Sequence, residues 1–389
     1  MSRTPAARRV PVLAVIIVPA FLAALALAAF SWTSARLAPR SLPLGVAGPQ
    51  AAAAAEQHLA RHPGAFSIHY YPDEAQAAAA VRHRSVYGAI VINGRGATVL
   101  TASAASPLVA RLLAEAAGTA AAAAGSEGAP SGPGSSSGHV SSGPAASGPA
   151  ASSGPAASRA ARVRVVDLVP ADRRDPQGIA FGAALLPLVL VGAIGGVVTW
   201  TAAGPAPLRA AVLLAAAAAV GLIGAGLIQG WLGIIPGNWA ANGGVIALTV
   251  LAISAGVCGL ASLAGRPGLV LGGLLMVFCG NPFSAVGSAP EMLPVPEGAI
   301  GQLLPPGAGQ ELLRSVAYFS GNGSAGHLAV LIVWAAAGIT AFLAGDLLRR
   351  RRTSAPGGPV AGDGSAPGSG VPGSAPGPAR ALGQALPRA

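Results

Sequence analysis

Residues 326–352 read GHLAVLIVWAAAGITAFLAGDLLRRRR, an apolar run from Gly326 to Leu348 closed by Arg349, Arg350, Arg351 and Arg352. At a rise of 1.5 Å per residue, about 20 apolar residues cross a hydrocarbon core of about 30 Å. Arginines crowded at one end mark the cytoplasmic side of such a helix. Working outward, further runs span Gly178–Thr201, Pro207–Gly230, Gly243–Ala264 and Pro267–Gly287, and a first run, Val10–Phe30, follows Arg3, Arg8 and Arg9. Arg209 falls between the second and third runs and Arg266 between the fourth and fifth. With the N-terminus inside, all of these cations lie on one side, and Trp231 and Trp239 fall in the opposite headgroup belt. The reading is an α-helical membrane protein of six transmembrane helices, arranged 1+5, with both termini cytoplasmic.

Two runs admit alternatives. The first resembles a signal peptide, with Ala24-Leu25-Ala26 or Ala26-Leu27-Ala28 as cleavage sites, but its apolar core exceeds the usual 7–15 residues. The fifth is short enough for a re-entrant hairpin. A hairpin would carry Arg349–Arg352 outside, so the expectation is a full crossing that unwinds through Asn281-Pro282.

Composition agrees with a membrane protein. Of 389 residues, 52% are hydrophobic and 10% charged, with a mean hydropathy of +0.60, whereas soluble chains carry about 25% charged residues. The net charge of +11 would suit a polyanion, but the arginines cluster at helix ends or scatter, so no nucleic-acid partner is expected. The chain has no lysine. It therefore supplies neither a Walker A loop nor a Schiff base, and no enzymatic activity or cofactor is expected. Cys258 and Cys279 lie in apolar runs, and no disulfide is expected.

The expected domains are a cytoplasmic stretch 1–9, helix 10–30, an extracytoplasmic α/β domain 31–177, a five-helix domain 178–348 and a disordered cytoplasmic tail 349–389. Strands are expected at Leu42–Gly48, Phe66–Tyr71, Val86–Ile92, Ala97–Ala102 and Val163–Val169, with helices from Ala51 to His62, from Asp73 to Arg84, and beginning at Ser106-Pro107. Asp73 and Gln76 form a capping-box-like start, and Asn93-Gly94 is a hairpin signal. Residues 125–158 are Gly/Ser/Pro/Ala-rich and expected to be disordered.

Candidate sites are few. His58 and His62 share a helix face at i, i+4 but have no third ligand, so no metal is assigned. Asp167 and Asp175 sit where the α/β domain meets the membrane domain and form either a gate or a rigid connector. An external loop, 281–325, holds Asn281, Pro282, Pro305, Pro306 and Arg314, and a short amphipathic helix from Glu311 to Phe319; it lines a pathway or forms a lid. Asp346 is read as an interfacial partner of Arg349 and Arg350. Gly192-Ala193-Ile194-Gly195-Gly196 and Gly226–Gly230 offer close-packing faces within the chain or between copies.

The order of parts resembles the ABC-2 type permeases, in particular the actinobacterial branch related to YhgE/Pip membrane proteins and DUF3533 proteins. The residues that carry the likeness are Val86-Tyr87-Gly88-Ala89, Thr101–Ser106, Asp167 with Pro170, Asp175-Pro176-Gln177-Gly178, Gly280-Asn281-Pro282 and Leu304–Ala308. The resemblance covers about residues 10–350. It implies a permease-like exporter subunit of the bacterial cell membrane, a homodimer in contact with membrane lipid and working with a separate ATP-binding subunit. The short turn at Gly204–Arg209 and the short stretch Met1–Pro11 depart from that pattern. The rival reading is a receptor or envelope-organising protein that transports nothing.

Overall fold

The computed structural model describes residues 12–49, 51–52, 63–93, 96–127 and 163–353. Two compact units divide the chain, Met1–Leu348 and Arg349–Ala389, and the description below concerns the first.

A small sheet domain contains β1 (Leu42–Ala47), β2 (Phe66–Tyr71), β3 (Gly88–Asn93), β4 (Gly96–Thr101) and β5 (Val163–Asp167), in the order β2-β1-β3-β4-β5. β1 pairs in parallel with β2 and β3, β4 in parallel with β5, and only β3 and β4 run antiparallel. Parallel pairs need long crossovers. One is α3 (Pro107–Glu127), which joins β4 to β5, while α2 (Glu74–Arg82) leads from β2 to β3 and packs on β1 and β3. Asp73 accepts from the Gln76 amide at 2.8 Å and so starts α2. Ala77 and Val81 on its inner face are completely buried against Val91 and Leu100. Ser106 likewise accepts from the Val109 amide at 3.3 Å, with Pro107 in the first turn of α3.

The β3–β4 pairing closes at Asn93 opposite Gly96. Asn93 is thus the last strand residue and not the first turn residue that the Asn-Gly signal predicts. Most of the helix expected over 51–62, including both histidines, lies outside the described residues, as does 128–158 of the low-complexity stretch. Residues 125–127 of that stretch belong to α3.

The chain is otherwise mostly helical. α1 covers Val12–Ala35. Among the described residues, four helices are long and apolar enough to cross a membrane: α4 (Ile179–Thr201), α5 (Ala206–Trp231), α6 (Trp239–Ala264) and α10, Ala325–Thr353, of which Ala325–Arg351 qualifies. α6 is the centre of the bundle, because 72% of its apolar window is buried against 28–33% for the other three. Glycines bring neighbours to backbone distance. A Cβ on Gly196 would lie 2.6 Å from the Ser254 carbonyl oxygen, and one on Gly338 would lie 2.3 Å from the Ala255 carbonyl. The Gly192–Gly196 stripe therefore packs α4 on α6 within one chain.

α7 (Arg266–Gly280) is shorter, about 20 Å long. Its last turn, Leu275–Gly280, is π-helical, and the chain then makes a 3₁₀ turn at Pro282–Ser284 and a left-handed residue, Ala285. Pro282 offers no amide and clashes with a continuing helix, which is the physical reason for the unwinding.

The segment expected as an external loop is largely helical. α8 (Glu297–Leu303) and α9 (Pro305–Tyr318) follow a 3₁₀ turn at Pro290–Met292. The amphipathic helix expected to start at Glu311 begins at the Pro305-Pro306 pair, whose ring geometry suits a first turn. It is buried on nearly every side, with Gln310, Glu311, Arg314 and Ser315 all under 5% exposed.

Candidate functional site

The site is built on the turn that ends α2. The helix stops at Arg82, two residues before the expected limit, in a Schellman motif: the Ser85 amide donates to the Ala80 carbonyl at 2.9 Å and the Arg84 amide to the Val81 carbonyl at 3.1 Å. The position after the cap in this motif usually takes glycine because its φ is positive. Here it is Arg84, at φ 61°. The turn projects the Arg84 guanidinium out of the sheet domain and onto α9.

There it ion-pairs with Glu311, donates to the Ser315 hydroxyl, and donates to the Glu311 carbonyl at 3.3 Å. Glu311 Oε1 pairs with Arg314 at 3.1 Å. Arg314 also donates to the Ala105 carbonyl at 2.7 Å and the Val286 carbonyl at 3.2 Å, so one side chain ties the sheet domain, α9 and the segment after α7 together. Burial alone would raise the Glu311 carboxyl, but Arg314 and Arg84 outweigh it and hold the group below the ordinary carboxylate value. Burial would lower Arg84, and the Glu311 charge reverses that direction. The rings of Phe319 and Phe181 lie under Arg84 and Arg314, 5.2 and 5.3 Å from the guanidinium carbons.

Beside this cluster lies a cavity of about 470 Å³, within the range of roughly 300–1,000 Å³ that holds small molecules. Its walls come from the chain leading to β1 (Arg40, Pro43), the α2–β3 turn (Arg84, Tyr87), the Pro290–Gln302 segment and His327 of α10. Prolines, Val86, Leu293 and Val295 make much of the wall apolar. Tyr87 donates to Glu291 Oε2 at 2.9 Å, and burial together with the Glu291 charge pushes its phenol well above the ordinary value. Arg40 donates to the carbonyls of Arg36, Ala38 and Met292. Gln302 donates to the Ser284 carbonyl at 3.3 Å, while its Oε1 is buried with no hydrogen-bond partner.

A second cleft of about 300 Å³ lies between α1 and the turn after α7, lined by Phe30, Leu37, Asn281, Pro282 and Val286 among others. Leu293 lines both spaces.

The residues selected from sequence are dispersed. Asp167 ends β5 and accepts from the Ser103 amide at 3.1 Å and from its hydroxyl. Asp175 accepts from the amides of Ala180 at 3.1 Å and Phe181 at 2.7 Å, which fastens the first turn of α4. Asp175 and Arg314 line a crevice of only about 10 Å³. Asn281 and Pro282 line the second cleft, and Pro306 packs on Gly280 beside Pro305. Only Arg314 joins the ion cluster. Asp346 pairs with Arg209 at 3.0 Å, a partner from another helix that the i, i+3 and i, i+4 reading did not include.

Sequence reading selected none of Arg40, Glu291, Gln302 and His327 as site residues, and it named Arg84 only as a helix end, Tyr87 only in the family likeness and Glu311 only as a helix start. In a chain with 10% charged residues, an acid and a base three residues apart on one short helix, Glu311 and Arg314, were the available signal. Among the described residues, no group of three or more His, Cys, Asp or Glu is placed to hold a metal. A buried charge cluster fixes one domain on the other, and a chamber of mixed polarity opens beside it. No known family model, curated protein or solved structure matches this chain.

Proposed function

We propose that this chain is the permease-like subunit of a bacterial cell-membrane exporter and that the junction cavity is the outward-facing site through which substrate leaves. In this reading α1, α4, α5, α6, α7 and α10 make six crossings, α7 completing its own through the unwound segment after Gly280. The sheet domain lies outside and both chain ends lie inside. The observation that carries the reading is the cavity itself: about 470 Å³, with walls from both the sheet domain and the helical domain. A site of that make-up changes shape whenever the two domains shift, which is what coupling of substrate to membrane helices requires. The π-helical turns at Gly226–Trp231 and Leu275–Gly280 add points where helices give. Energy comes from a separate ATPase, since a chain without lysine cannot supply a Walker A loop. The working form is a homodimer.

The test combines a pull-down with a flux assay. Tagged full-length protein should recover a protein with a Walker A loop, and Ala299→Trp, which fills the cavity from an exposed position, should stop export while leaving that recovery intact. Export unaffected by the variant, together with no nucleotide-binding partner, rejects the proposal.

A receptor reading is favoured by one feature. A pocket inside the bundle, between α4, α5, α6 and α9, holds only about 20 Å³, roughly the room for one water. Purified protein that binds a ligand in the cavity but never moves it across reconstituted vesicles would establish this second reading.

A further inference from the structure

The charges around the junction cavity are not alike in how they are satisfied. Arg84 and Arg314 share the Glu311 carboxylate. Glu291, by contrast, has among the described residues a single hydrogen-bond donor, the neutral Tyr87 hydroxyl, and no ion pair. Arg40 is held by three backbone carbonyls and by no carboxylate. Among the described residues, one anion and one cation thus line the same chamber without an ion pair of their own. Both are half-buried, so each can meet an opposite charge brought by a ligand, and the chamber complements a ligand that carries both signs. Glu291 accepts one hydrogen bond and keeps further carboxylate lone pairs open, which favours a cationic end with N–H groups to donate.

The rest of the ligand follows from the neighbouring space. The cleft along α1 is lined mainly by apolar side chains, and Leu293 forms a wall of both spaces. The chamber, which carries the charged groups, and the cleft, which carries none, therefore share a wall. We propose that together they hold a single amphiphile with a zwitterionic headgroup, its primary ammonium at Glu291, its anionic group at Arg40, and its hydrocarbon tail along α1. A lipid of the phosphoethanolamine type has this chemistry. The inference rests on the proposed function only in taking the junction cavity as a ligand site.

Native mass spectrometry of the full chain in a mild detergent tests it. The protein is offered equal amounts of lysophosphatidylethanolamine, lysophosphatidylcholine and lysophosphatidylglycerol with the same acyl chain. The ethanolamine lipid should be retained about tenfold over the glycerol lipid, the scale of one hydrogen bond to a charged group. The choline lipid, zwitterionic but without N–H groups, should fall between them. Glu291→Gln should bring the ethanolamine lipid down to the level of the glycerol lipid. Gly287 lines the cleft and has open space around it, so Gly287→Leu should weaken all three lipids equally by occupying the tail site. Glycerophosphoethanolamine, the same head without a tail, should not compete. Equal retention of the three lipids, a preference that survives Glu291→Gln in protein of unchanged melting temperature, or displacement by the tail-less head overturns the proposal. Headgroup preference without any export would reject the exporter reading alone, and export without headgroup preference would reject this one alone.

Discussion

Arg84 occupies the one backbone position of its turn where glycine is usual, and Glu311, 227 residues away in sequence, is what it reaches from there. A left-handed conformation costs a non-glycine residue about 1–2 kcal/mol. The ion pair with Glu311 is buried, with side chains 10% and 3% exposed, and breaking such a pair from one side costs about 3–5 kcal/mol. The second effect outweighs the first. Arg84→Gly should therefore destabilise the docking of the sheet domain even though it relaxes the backbone, and Arg84→Gly made on a Glu311→Gln background should cost much less. Thermal melts of the four proteins of this cycle measure the coupling; additive losses would show that the pair does not hold the turn. Acid supplies a second measurement. The Glu311 carboxyl is lower in the folded protein than its ordinary value. Its contribution is fully present above the ordinary carboxylate range and is lost as pH falls through the depressed folded value. Hydrogen exchange of residues 84–105 should rise in that acidic window in the native protein, and Glu311→Gln should be open already at neutral pH.

At the scale of elements, what local sequence signals specify was readable and what distant partners specify was not. The starts of α2 and α3 are written in Asp73 and Ser106-Pro107, because a cap acts within one helical turn. The end of α2 was legible to within two residues, since basic side chains in a last turn are a stop signal, but the left-handed Arg84 that makes the turn was not, because its partner lies on α9. The depth of α9 was hidden for the same reason. Its polar face reads as a surface to water, whereas in the fold it meets Arg84 and the Ala105 and Val286 carbonyls. The junction cavity draws on chain around residues 40, 84, 290 and 327, which no spacing rule joins. The glycine stripes, open in sequence to packing within or between chains, resolve in part by contact. At Gly338 the α10 backbone lies against Ala255 of α6, with no room for a side chain. Gly338→Val should force the helices apart and lower stability by about 1–3 kcal/mol, the cost of overpacking. A fluorescence-detected melt in detergent measures it. An unchanged melting temperature would mean that α10 does not rest on α6 at this point.

For the whole molecule, the proposed orientation makes one face of the helical bundle cytoplasmic, and Arg209 shows which helix ends share that face. Its guanidinium donates to the carbonyls of Thr199, Trp200 and Ala202 at the end of α4, and pairs with Asp346 near the end of the apolar part of α10. A cation at carbonyls left open by a helix C-terminus is favourable on its own account. Here it also gathers the end of α4, the start of α5 and the end of α10 at one level. If that level is the inner membrane surface, a thiol at Ala202 or Arg266, both exposed positions, is reached by a membrane-impermeant maleimide only after cells are opened. A thiol at Tyr70, 55% exposed on the sheet domain, is reached in intact cells. Cys258 and Cys279 are first replaced, so that each protein carries a single reporter. Labelling of Ala202→Cys and Arg266→Cys from outside would invert the bundle, put the sheet domain in the cytoplasm and remove the outward exit on which the exporter reading depends. Labelling of Ala202→Cys from inside with Arg266→Cys from outside would instead mean that the chain does not cross an even number of times between α5 and α7, contrary to six crossings.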